Sequence, residues 1–505
     1  MRKVWGLFLV FVLSLGLVGL AQAASLEFHG EFGVKVQTTN NAGILTNFDD
    51  LETWNSNAMM GFLMTDWDTI GGKRAWFAST NRAALGDAHD AGITVDEFNG
   101  KDLDDTWASL QFRLWAVASS DDGKIKGVWA MEVGSARFGE NDQLDLHNES
   151  TNIESRMLYL DFALPWFENV RAKVGLAPYY VNRFLWNETA PGIALYGNTD
   201  LGFGNLDYAL VWVRARDKWG SNNDKSDNND ADAYAIVLGY DATKMSGLDK
   251  AKVLGYFIYL NDQTRSYNYY YNGLSSDNQP WYLGLDLDLA SGLWSLNTGF
   301  IYEGGDFDLH GNVPAGMDDN MDHDAYLLYA ELGYRVNEQI KASFLWWWAT
   351  GDDDPYDGDV ENFNAIDTHT FGSVVLFEDA AFDDGYVVSR HPYLNNLGFQ
   401  MYRLRVDYQA TPRLALAAAV NYMKFDEDAY WVDEAGNVKN DDDIGWELDV
   451  YAKYELYKDL TLDVAAGYLW AGDGLDAWAD KDGNGYVDSD ADDMYRISVG
   501  VTYSF

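Results

Sequence analysis

The sequence predicts an all-β protein, a transmembrane antiparallel β-barrel of about eighteen strands, with sixteen or twenty strands as the alternatives. Three observations predict this fold. The last residues, Met494 to Phe505, alternate apolar and polar side chains and end on an aromatic ring. Similar alternating segments recur from Leu26 onward, and no Pro-rich or Ser-rich linker divides them. The connections alternate between short turns and long polar stretches, as the two rims of a membrane barrel require.

Each predicted strand is a segment in which successive side chains point to opposite faces. In the last one, Ile497, Val499 and Val501 share one register, and Arg496 and Ser498 share the other. Closing the barrel pairs this strand with the first, so that no edge is left exposed. The predicted strands, in order, are Leu26–Gln37, Trp107–Ser119, Ile125–Arg137, Leu158–Leu164, Val170–Leu176, Ile193–Asp200, Leu206–Ala215, Tyr234–Tyr240, Val253–Leu260, Trp281–Leu289, Trp294–Glu303, Tyr326–Tyr334, Ile340–Trp348, Tyr402–Tyr408, Leu414–Tyr422, Trp446–Leu456, Leu462–Trp470 and Met494–Phe505.

The strand number depends on two regions. The stretch Thr38–Asp105 is long for a plain loop, and Ala58–Asp66 with Lys73–Ser79 would add a hairpin there, which gives twenty strands. The pattern in Ile193–Asp200 is weak, and without that strand and its partner the count is sixteen. With eighteen strands, every short turn falls on the same rim as the start of the first strand and the end of the last strand.

The N-terminus predicts export. Met1 is followed by two basic residues, an apolar run from Val4 to Leu20 and the small-residue site Ala21-Gln22-Ala23, which is the pattern of a secretory signal peptide cleaved after Ala23. No later stretch reaches the roughly 18 apolar residues of a spanning helix. We therefore expect one barrel over residues 24–505.

Composition excludes several functions. The formal net charge of -45 argues against a nucleic-acid partner, whose phosphates such a chain would repel. The absence of cysteine excludes a disulfide framework, a thiol nucleophile and Cys-linked haem. The seven histidines are scattered, and no serine elbow or phosphate loop is present, so the sequence does not predict an enzyme.

The two faces of the predicted strands differ in polarity. Trp446, Leu448 and Val450 would face lipid, whereas Glu447 and Asp449 would face inward. Charges on an inner face are costly without water, so the pattern predicts a water-filled interior. Charges that neutralise one another beneath a plug are the alternative. Aromatic residues at strand ends are expected at headgroup level, namely Trp281, Trp294, Trp348, Tyr408, Tyr422, Trp446 and Trp470.

The terminal strand ending in Phe505 resembles the C-terminal signature of Gram-negative outer-membrane barrels. Two further stretches resemble trimeric general porins: the hairpin from Leu110–Arg113 to Gly127–Glu132, and the strand Val170–Leu176. This resemblance implies an outer-membrane location, a homotrimer, recognition of the last strand by the barrel-assembly machinery, and contact with lipid and lipopolysaccharide.

The same resemblance places a constriction loop at Pro178–Gly192, directly after Val170–Leu176. In such porins, acids on the loop face bases on the wall, so Glu188 would oppose some of Arg113, Arg171 and Arg403. The expected pore-lining residues are Arg113, Glu132, Arg171, Lys173, Arg183, Glu188, Arg403, Arg405, Asp407 and Arg496.

The acidic residues concentrate in the predicted external loops. The runs are Asp318–Asp324, Asp352–Asp359, Asp426–Glu434 and Asp441–Asp443. Repeated on one rim, they would make a negative vestibule that concentrates cations. They could also bind the divalent ions that bridge lipopolysaccharide phosphates.

A calcium-type motif lies in the predicted loop at residues 471–493. The stretch from Asp480 to Asp488 matches the opening of an EF-hand loop, with oxygens at the first, third, fifth and ninth positions. The twelfth position is Ala491 instead of the usual glutamate, and no helices are predicted on either side. The expected Ca²⁺ ligands are Asp480, Asp482, Asn484, Tyr486, Asp488 and Asp492.

These features predict a porin, a channel for passive diffusion of small hydrophilic solutes and ions, with cations preferred. Two alternatives remain open. The first is a substrate-selective channel for sugars or an organic solute, in which inward aromatics such as Tyr282, Trp347 and Tyr451 could form a sugar track. The barrel could instead be a scaffold that sheathes a multihaem cytochrome.

Overall fold

The computed structural model describes residues 23–40, 105–139, 151–216, 230–267, 275–311, 318–353, 358–368, 372–377, 379, 397–433, 435–479, 487 and 489–505. Most of the predicted signal peptide, the possible extra hairpin at 58–66 and 73–79, and five of the six predicted calcium ligands lie outside these residues. Asp492 is the sixth and is described. Within the described part of the chain, no helix is long and apolar enough to cross a membrane.

Eighteen antiparallel strands form a closed barrel, as the sequence predicts. Each strand pairs with the next along the chain, and the last pairs with the first through Glu31 to Thr39 opposite Arg496 to Ser504. The strands are β1 (Ala23–Thr39), β2 (Asp105–Ser120), β3 (Ile125–Arg137), β4 (Ile153–Ala163), β5 (Val170–Asn182), β6 (Trp186–Asp200), β7 (Asn205–Arg216), β8 (Ala231–Asp241), β9 (Lys250–Tyr267), β10 (Ser275–Ser291), β11 (Trp294–His310), β12 (Asn320–Arg335), β13 (Ile340–Ala349), β14 (Phe399–Thr411), β15 (Leu414–Val432), β16 (Val438–Tyr457), β17 (Leu460–Ala471) and β18 (Met494–Ser504).

Three short elements supplement the barrel. The two-residue strand Asp359–Val360 pairs in parallel with β12 at Asp322 and His323. A one-turn helix, Thr243–Ser246, connects β8 and β9, and a 3-10 helix, Asp473–Trp478, follows β17. The one-turn helix lies at one rim of the barrel, and the other connections between β2 and β11 at that rim are turns of a few residues. We call it the short-turn rim, and β1 starts and β18 ends there.

Several strands extend past their predicted limits at the opposite rim, which we call the long-loop rim. β16 begins at Val438, eight residues before the predicted Trp446, and β10 begins at Ser275. These extensions are rich in Asp and Asn, which strands normally disfavour. Pairing with neighbouring strands supplies the backbone hydrogen bonds that the local sequence alone does not favour.

The predicted constriction loop at Pro178–Gly192 is a hairpin in the structure. β5 and β6 continue through it, with Tyr179 opposite Glu188 and Asn182 opposite Trp186. These residues pair as strands because Tyr179 and Val181 alternate along β5, and the Tyr179 ring stacks on that of Trp186 across the hairpin at 5.8 Å between centroids. The turn between the strands consists of Arg183, Phe184 and Leu185.

The two faces of the wall are assigned as the sequence predicts. On β18, Ile497, Val499 and Val501 are exposed on the outer face, whereas Arg496 is 2% and Ser498 is 3% exposed. On β16, Leu448 and Val450 point outward. An apolar outer face of this kind is stable against the hydrocarbon of a membrane.

Aromatic rings form a belt at each rim of the outer face. At the long-loop rim, Tyr422 lies 6.1 Å from Tyr402 and 4.9 Å from Trp446, measured between ring centroids, and Trp446 is paired with Trp470. At the short-turn rim, Trp294 lies 4.5 Å from Tyr334. Such belts occupy the membrane–water interfaces of barrels, so they mark the limits of the apolar band.

Candidate channel interior

A segment of the connection between β13 and β14 folds into the barrel. We call its described residues, 358–368, 372–377 and 379, the inward segment. Phe363, Val374, Val375, Leu376 and Phe377 are at most 1% exposed. Phe377 packs against Trp347 and Phe399 of the wall, with ring centroids 5.9 Å and 5.4 Å away. The inward segment therefore crosses the interior and narrows it.

The turn of the β5–β6 hairpin also points into the barrel and meets the inward segment. We call Arg183, Phe184 and Leu185 the hairpin tip. The ring of Phe184 lies 4.8 Å from that of Tyr329 and 4.7 Å from that of Trp347. Hydrogen bonds then join the tip to the segment.

Those bonds are mostly between backbone groups. The Leu185 carbonyl accepts from the N–H groups of Ile366 and Asp367 at 3.0 Å and 3.2 Å. The Asn187 N–H donates to the Asp367 carbonyl at 2.8 Å, and the Thr368 hydroxyl donates to the Arg183 carbonyl at 2.8 Å. The pattern resembles a short sheet pairing inside the barrel, so tip and segment form one constriction.

Glu303 of β11 holds the first part of the inward segment. Its Oε2 accepts from the Asn364 N–H at 2.7 Å. The Tyr282 hydroxyl lies 3.3 Å from Glu303 Oε1 and 3.0 Å from the Asn364 carbonyl oxygen. His323 Nδ1 is 3.4 Å from Glu303 Oε1. The Glu303 carboxylate is fully buried and supplies an acceptor of the kind that a buried backbone amide requires.

Glu447 and Asp449 of β16 hold the second part. The N–H groups of Val375 and Leu376 donate to Glu447 at 2.6 Å and 3.4 Å, and the Val374 N–H donates to Asp449 Oδ1 at 3.2 Å. Both carboxylates are fully buried. The prediction that they line a water-filled space was therefore wrong, because backbone amides of the chain's own segment take the place of water.

Three of the predicted bases contact groups on the adjacent wall. Arg113 Nε lies 2.6 Å from Glu132, which also accepts from Arg156 at 2.9 Å. Arg171 Nε lies 2.7 Å from Asp161. The Lys173 ammonium lies over the rings of Tyr159 and Tyr196, at 5.5 Å and 5.7 Å from their centroids.

The remaining predicted bases pair with acids or lie against rings. Arg183 contacts Glu331 at 3.1 Å. Arg405 contacts Asp407 at 2.8 Å and lies 4.8 Å from the centre of the Tyr451 ring. Arg496 lies over the Trp107 ring at 5.9 Å.

Asp379 of the inward segment is an acid that faces the wall. Its Oδ2 is 3.7 Å from Arg403 and accepts from the Tyr451 hydroxyl at 2.9 Å. Glu188, the acid expected in this position, lies on β6 opposite Tyr179, and one of its oxygens accepts from the Thr189 N–H. The structure thus has an acid on an inward element opposite a basic wall, but on a different connection from the one predicted.

Two cavities open inside the barrel towards the short-turn rim. One has a volume of about 580 Å³ and is lined by charged and aromatic groups that include Lys35, Lys341, Arg405, Asp407 and Tyr451. The other, of about 630 Å³, is lined by Arg171, Tyr196, Asn198 and Asp207 together with apolar side chains. Space for water and small solutes therefore exists on this side of the constriction.

The long-loop rim carries the acid excess. Glu427 lies beyond the belt residue Tyr422, and burial together with the charges of Asp426, Asp353 and Asp428 raises the pKa of Glu427 to about 7. In the 3-10 helix, burial raises the pKa of Asp476 to about 6. Among the residues described, no group of three or more His, Asp or Glu side chains is arranged to hold a metal ion.

Of the three rings considered for an aromatic track, Tyr282 and Trp347 are not available to a solute, whereas Tyr451 lines the first cavity. Tyr282 and Trp347 are each 1% exposed and pack beneath the inward segment. The Tyr451 hydroxyl is engaged with Asp379. The constriction residues that the sequence analysis missed are Phe363 and Val374–Phe377. The sequence signal for Val374–Phe377 was this apolar run of four residues inside the otherwise acidic connection between β13 and β14.

No protein-family model matches the chain, and no curated protein matches it. Among solved structures, it is similar to OccK2 (OpdF) of Pseudomonas aeruginosa, with 12% sequence identity and a TM-score of 0.47, over 95% of this chain and 98% of that one. It is also similar to OccAB4 of Acinetobacter baumannii, with 11% identity and a TM-score of 0.46, over 95% and 98% of the two chains. For OpdQ of P. aeruginosa the values are 10%, 0.45, 95% and 98%. The strand pairing itself establishes a closed barrel with the architecture of outer-membrane porins.

Proposed function

We propose that the chain is an outer-membrane porin that admits small hydrophilic solutes and ions by passive diffusion and prefers cations. One observation carries the proposal: an eighteen-strand barrel has an apolar, aromatic-belted outer face and a charged inner face with open cavities. A soluble barrel would reverse this polarity. Charged side chains on the inner wall are compatible with membrane insertion when water or ion pairs satisfy them.

The proposed path runs from the acidic long-loop rim, past the constriction, to the cavities at the short-turn rim. At the constriction, Asp379 faces Arg403, so a passing ion meets both signs of charge within a few ångströms. Most wall bases are paired with neighbouring acids, which reduces their attraction for anions. The excess of acid lies at the long-loop rim, and it supports cation preference because a negative entrance raises the local cation concentration.

Location and assembly follow from the same proposal. Export through a signal peptide cleaved after Ala23, recognition of β18 by the barrel-assembly machinery, association into a trimer, and contact with lipopolysaccharide are the steps that such a porin requires. A calcium ion at Asp480–Asp488 would add a rigid point to an external loop, and the acidic rim could share divalent ions with lipopolysaccharide phosphates.

The two alternative functions are less well supported. A sugar track would need exposed rings, whereas Tyr282 and Trp347 are covered by the inward segment. A cytochrome inside the barrel would have to displace the buried side chains of Phe184, Phe363 and Phe377, which belong to one apolar cluster.

Liposome swelling tests the proposed function. Purified protein in liposomes should admit small uncharged solutes at rates that fall steeply with solute size. Small cationic solutes should enter faster than anionic ones of equal size. Liposomes with correctly folded protein that stay impermeable to every solute would refute the proposal, whereas saturable uptake of one solute class would favour a substrate-selective channel.

A further inference from the structure

The wall of the barrel contains a docking site for the second half of the inward segment. We call Asn421 of β15, Glu447 and Asp449 of β16, and Gly467 of β17 the socket. The carboxylates accept three consecutive backbone N–H groups, those of Val374, Val375 and Leu376. The Asn421 amide donates to the other oxygen of Asp449 at 2.7 Å and so fixes its orientation.

Gly467 provides the space that the segment occupies. A Cβ atom at this position would lie 2.8 Å from Asp449 Oδ1, 2.8 Å from the Val374 Cβ and 3.0 Å from a Val375 methyl group. Real Cβ atoms do not approach other atoms so closely. The hydrogen bonds and the glycine are independent observations, and both indicate that this part of the wall is shaped to receive residues 374 and 375.

The barrel wall does not need these carboxylates for its own closure. Glu447 is already opposite Asn421 and Leu469 in the sheet, and Asp449 is opposite Ala419 and Gly467. Besides the Asn421–Asp449 hydrogen bond, their side chains accept from the inward segment, which is not a member of the wall. The basic group facing the pair is Arg403, which also contacts Asp379 of the segment and the Tyr451 hydroxyl.

We infer that Glu447 and Asp449 are positioning residues that hold the inward segment across the channel, and that freeing the segment from the socket widens the path. The inference rests on the proposed channel function. A buried backbone amide that loses its acceptor is strongly penalised. Without the carboxylates, the N–H groups of residues 374–376 would find acceptors only by moving into water, which carries the segment away from the wall.

The absence of cysteine from the chain gives a direct test. Val375→Cys introduces a single thiol at a position that is fully buried. Its rate of maleimide labelling in folded protein reports how often the segment leaves the socket. Glu447→Leu removes two acceptors at similar volume, and Gly467→Val displaces the segment while both carboxylates remain. Asp463→Leu is the control, because Asp463 is an inward acid on β17 that pairs with Lys453.

We expect the introduced thiol to label slowly when the socket is native. Labelling should be at least about tenfold faster when Glu447→Leu or Gly467→Val is added, because the free energy of local opening is then lower. Asp463→Leu should leave the rate unchanged, and Glu447→Gln should restore slow labelling because its carbonyl still accepts from the residue 375 amide. In planar bilayers, the Glu447→Leu and Gly467→Val proteins should show larger conductance steps than the native protein.

The outcomes separate the inference from the proposed function. Fast labelling with the native socket, or equally slow labelling in both socket variants, would overturn the inference. If the socket variants label faster but their conductance equals that of the native protein, the claim that the segment sets the width of the path is refuted. If labelling accelerates but no protein conducts, the socket stands and the porin proposal fails. Heat-modifiable migration on gels checks that each barrel has folded.

Discussion

Replacing Phe184 with alanine tests whether the hairpin tip is docked by aromatic packing. Phe184 is 1% exposed and lies against the rings of Tyr329 and Trp347. Truncating a buried phenylalanine typically costs about 3–5 kcal/mol. Because Phe184 belongs to a turn inside the barrel, we expect this cost to fall on docking of the tip and not on closure of the wall.

The expected magnitude follows from that difference. A loss of about 3 kcal/mol raises the undocked fraction of the tip about a hundredfold. The N–H groups of Ile366 and Asp367, which donate to the Leu185 carbonyl, should then exchange with deuterium correspondingly faster. The midpoint of barrel unfolding in denaturant should change little.

Hydrogen exchange read by mass spectrometry provides the assay, with Phe344→Ala as the control. Phe344 is a phenylalanine on the lipid-facing side of β13 and is distant in the sequence from the tip. Its truncation should leave exchange at Ile366 and Asp367 unchanged. The reasoning fails if Phe184→Ala leaves that exchange unaltered, or if it unfolds the whole barrel without a separate local opening.

Three further predictions concern other parts of the molecule. Because their pKa values are raised to about 7 and about 6, Glu427 and Asp476 gain protons as the pH falls from about 8 to about 5. Cation preference, measured as a reversal potential, should weaken over this range, and a pH-independent potential would contradict this. The stability of the long-loop rim should rise over the same range, because the folded state binds these protons more tightly than the unfolded state. Calcium should release or absorb measurable heat on titration into chelated protein, and no heat, or heat unchanged by Asp482→Ala, would exclude a site at Asp480–Asp488. Gly30→Val should reduce the amount of heat-modifiable folded protein, because a Cβ at this position would lie 2.3 Å from the Phe505 ring where β1 pairs with β18. The control Gly255→Val should fold, because a Cβ there meets open space, and equal yields of the two variants would contradict a close contact between Gly30 and Phe505.

The wall of the barrel could be predicted because each strand carries its own evidence. In β18, the alternation of Ile497 and Val499 with Arg496 and Ser498 fixes the lipid-facing side before any partner strand is known. Alternation of short and long connections then fixes the order and the two rims. Strand ends were less predictable, since β16 begins at Val438 only because β15 offers it a partner.

The interior was less predictable because face assignment does not tell what a side chain contacts. Glu447 and Asp449 were correctly placed on the inner face, yet alternation could not reveal that backbone amides of a distant connection would cover them. The separation of 72 residues between Val375 and Glu447 leaves no local pattern to read. The resemblance to general porins predicted an inward element at Pro178–Gly192, whereas the larger inward element follows β13.

The ion pairs of the wall show the same limit. Arg171 and Asp161 both point inward, as expected, and they pair because β4 and β5 are neighbours. The pairing of Arg403 with Asp379 depends instead on the path of the inward segment. Sequence therefore predicted which charges enter the barrel, and the fold determined which of them remain available to a solute.

Planar-bilayer recording of the purified protein under a potassium chloride gradient tests the central claim most directly. We expect discrete ohmic steps and a reversal potential displaced towards that of K⁺, since the negative rim concentrates cations. Steps with a reversal potential displaced towards that of Cl⁻ would show that the basic wall outweighs the acidic rim. A correctly folded barrel that passes no current would contradict the channel itself.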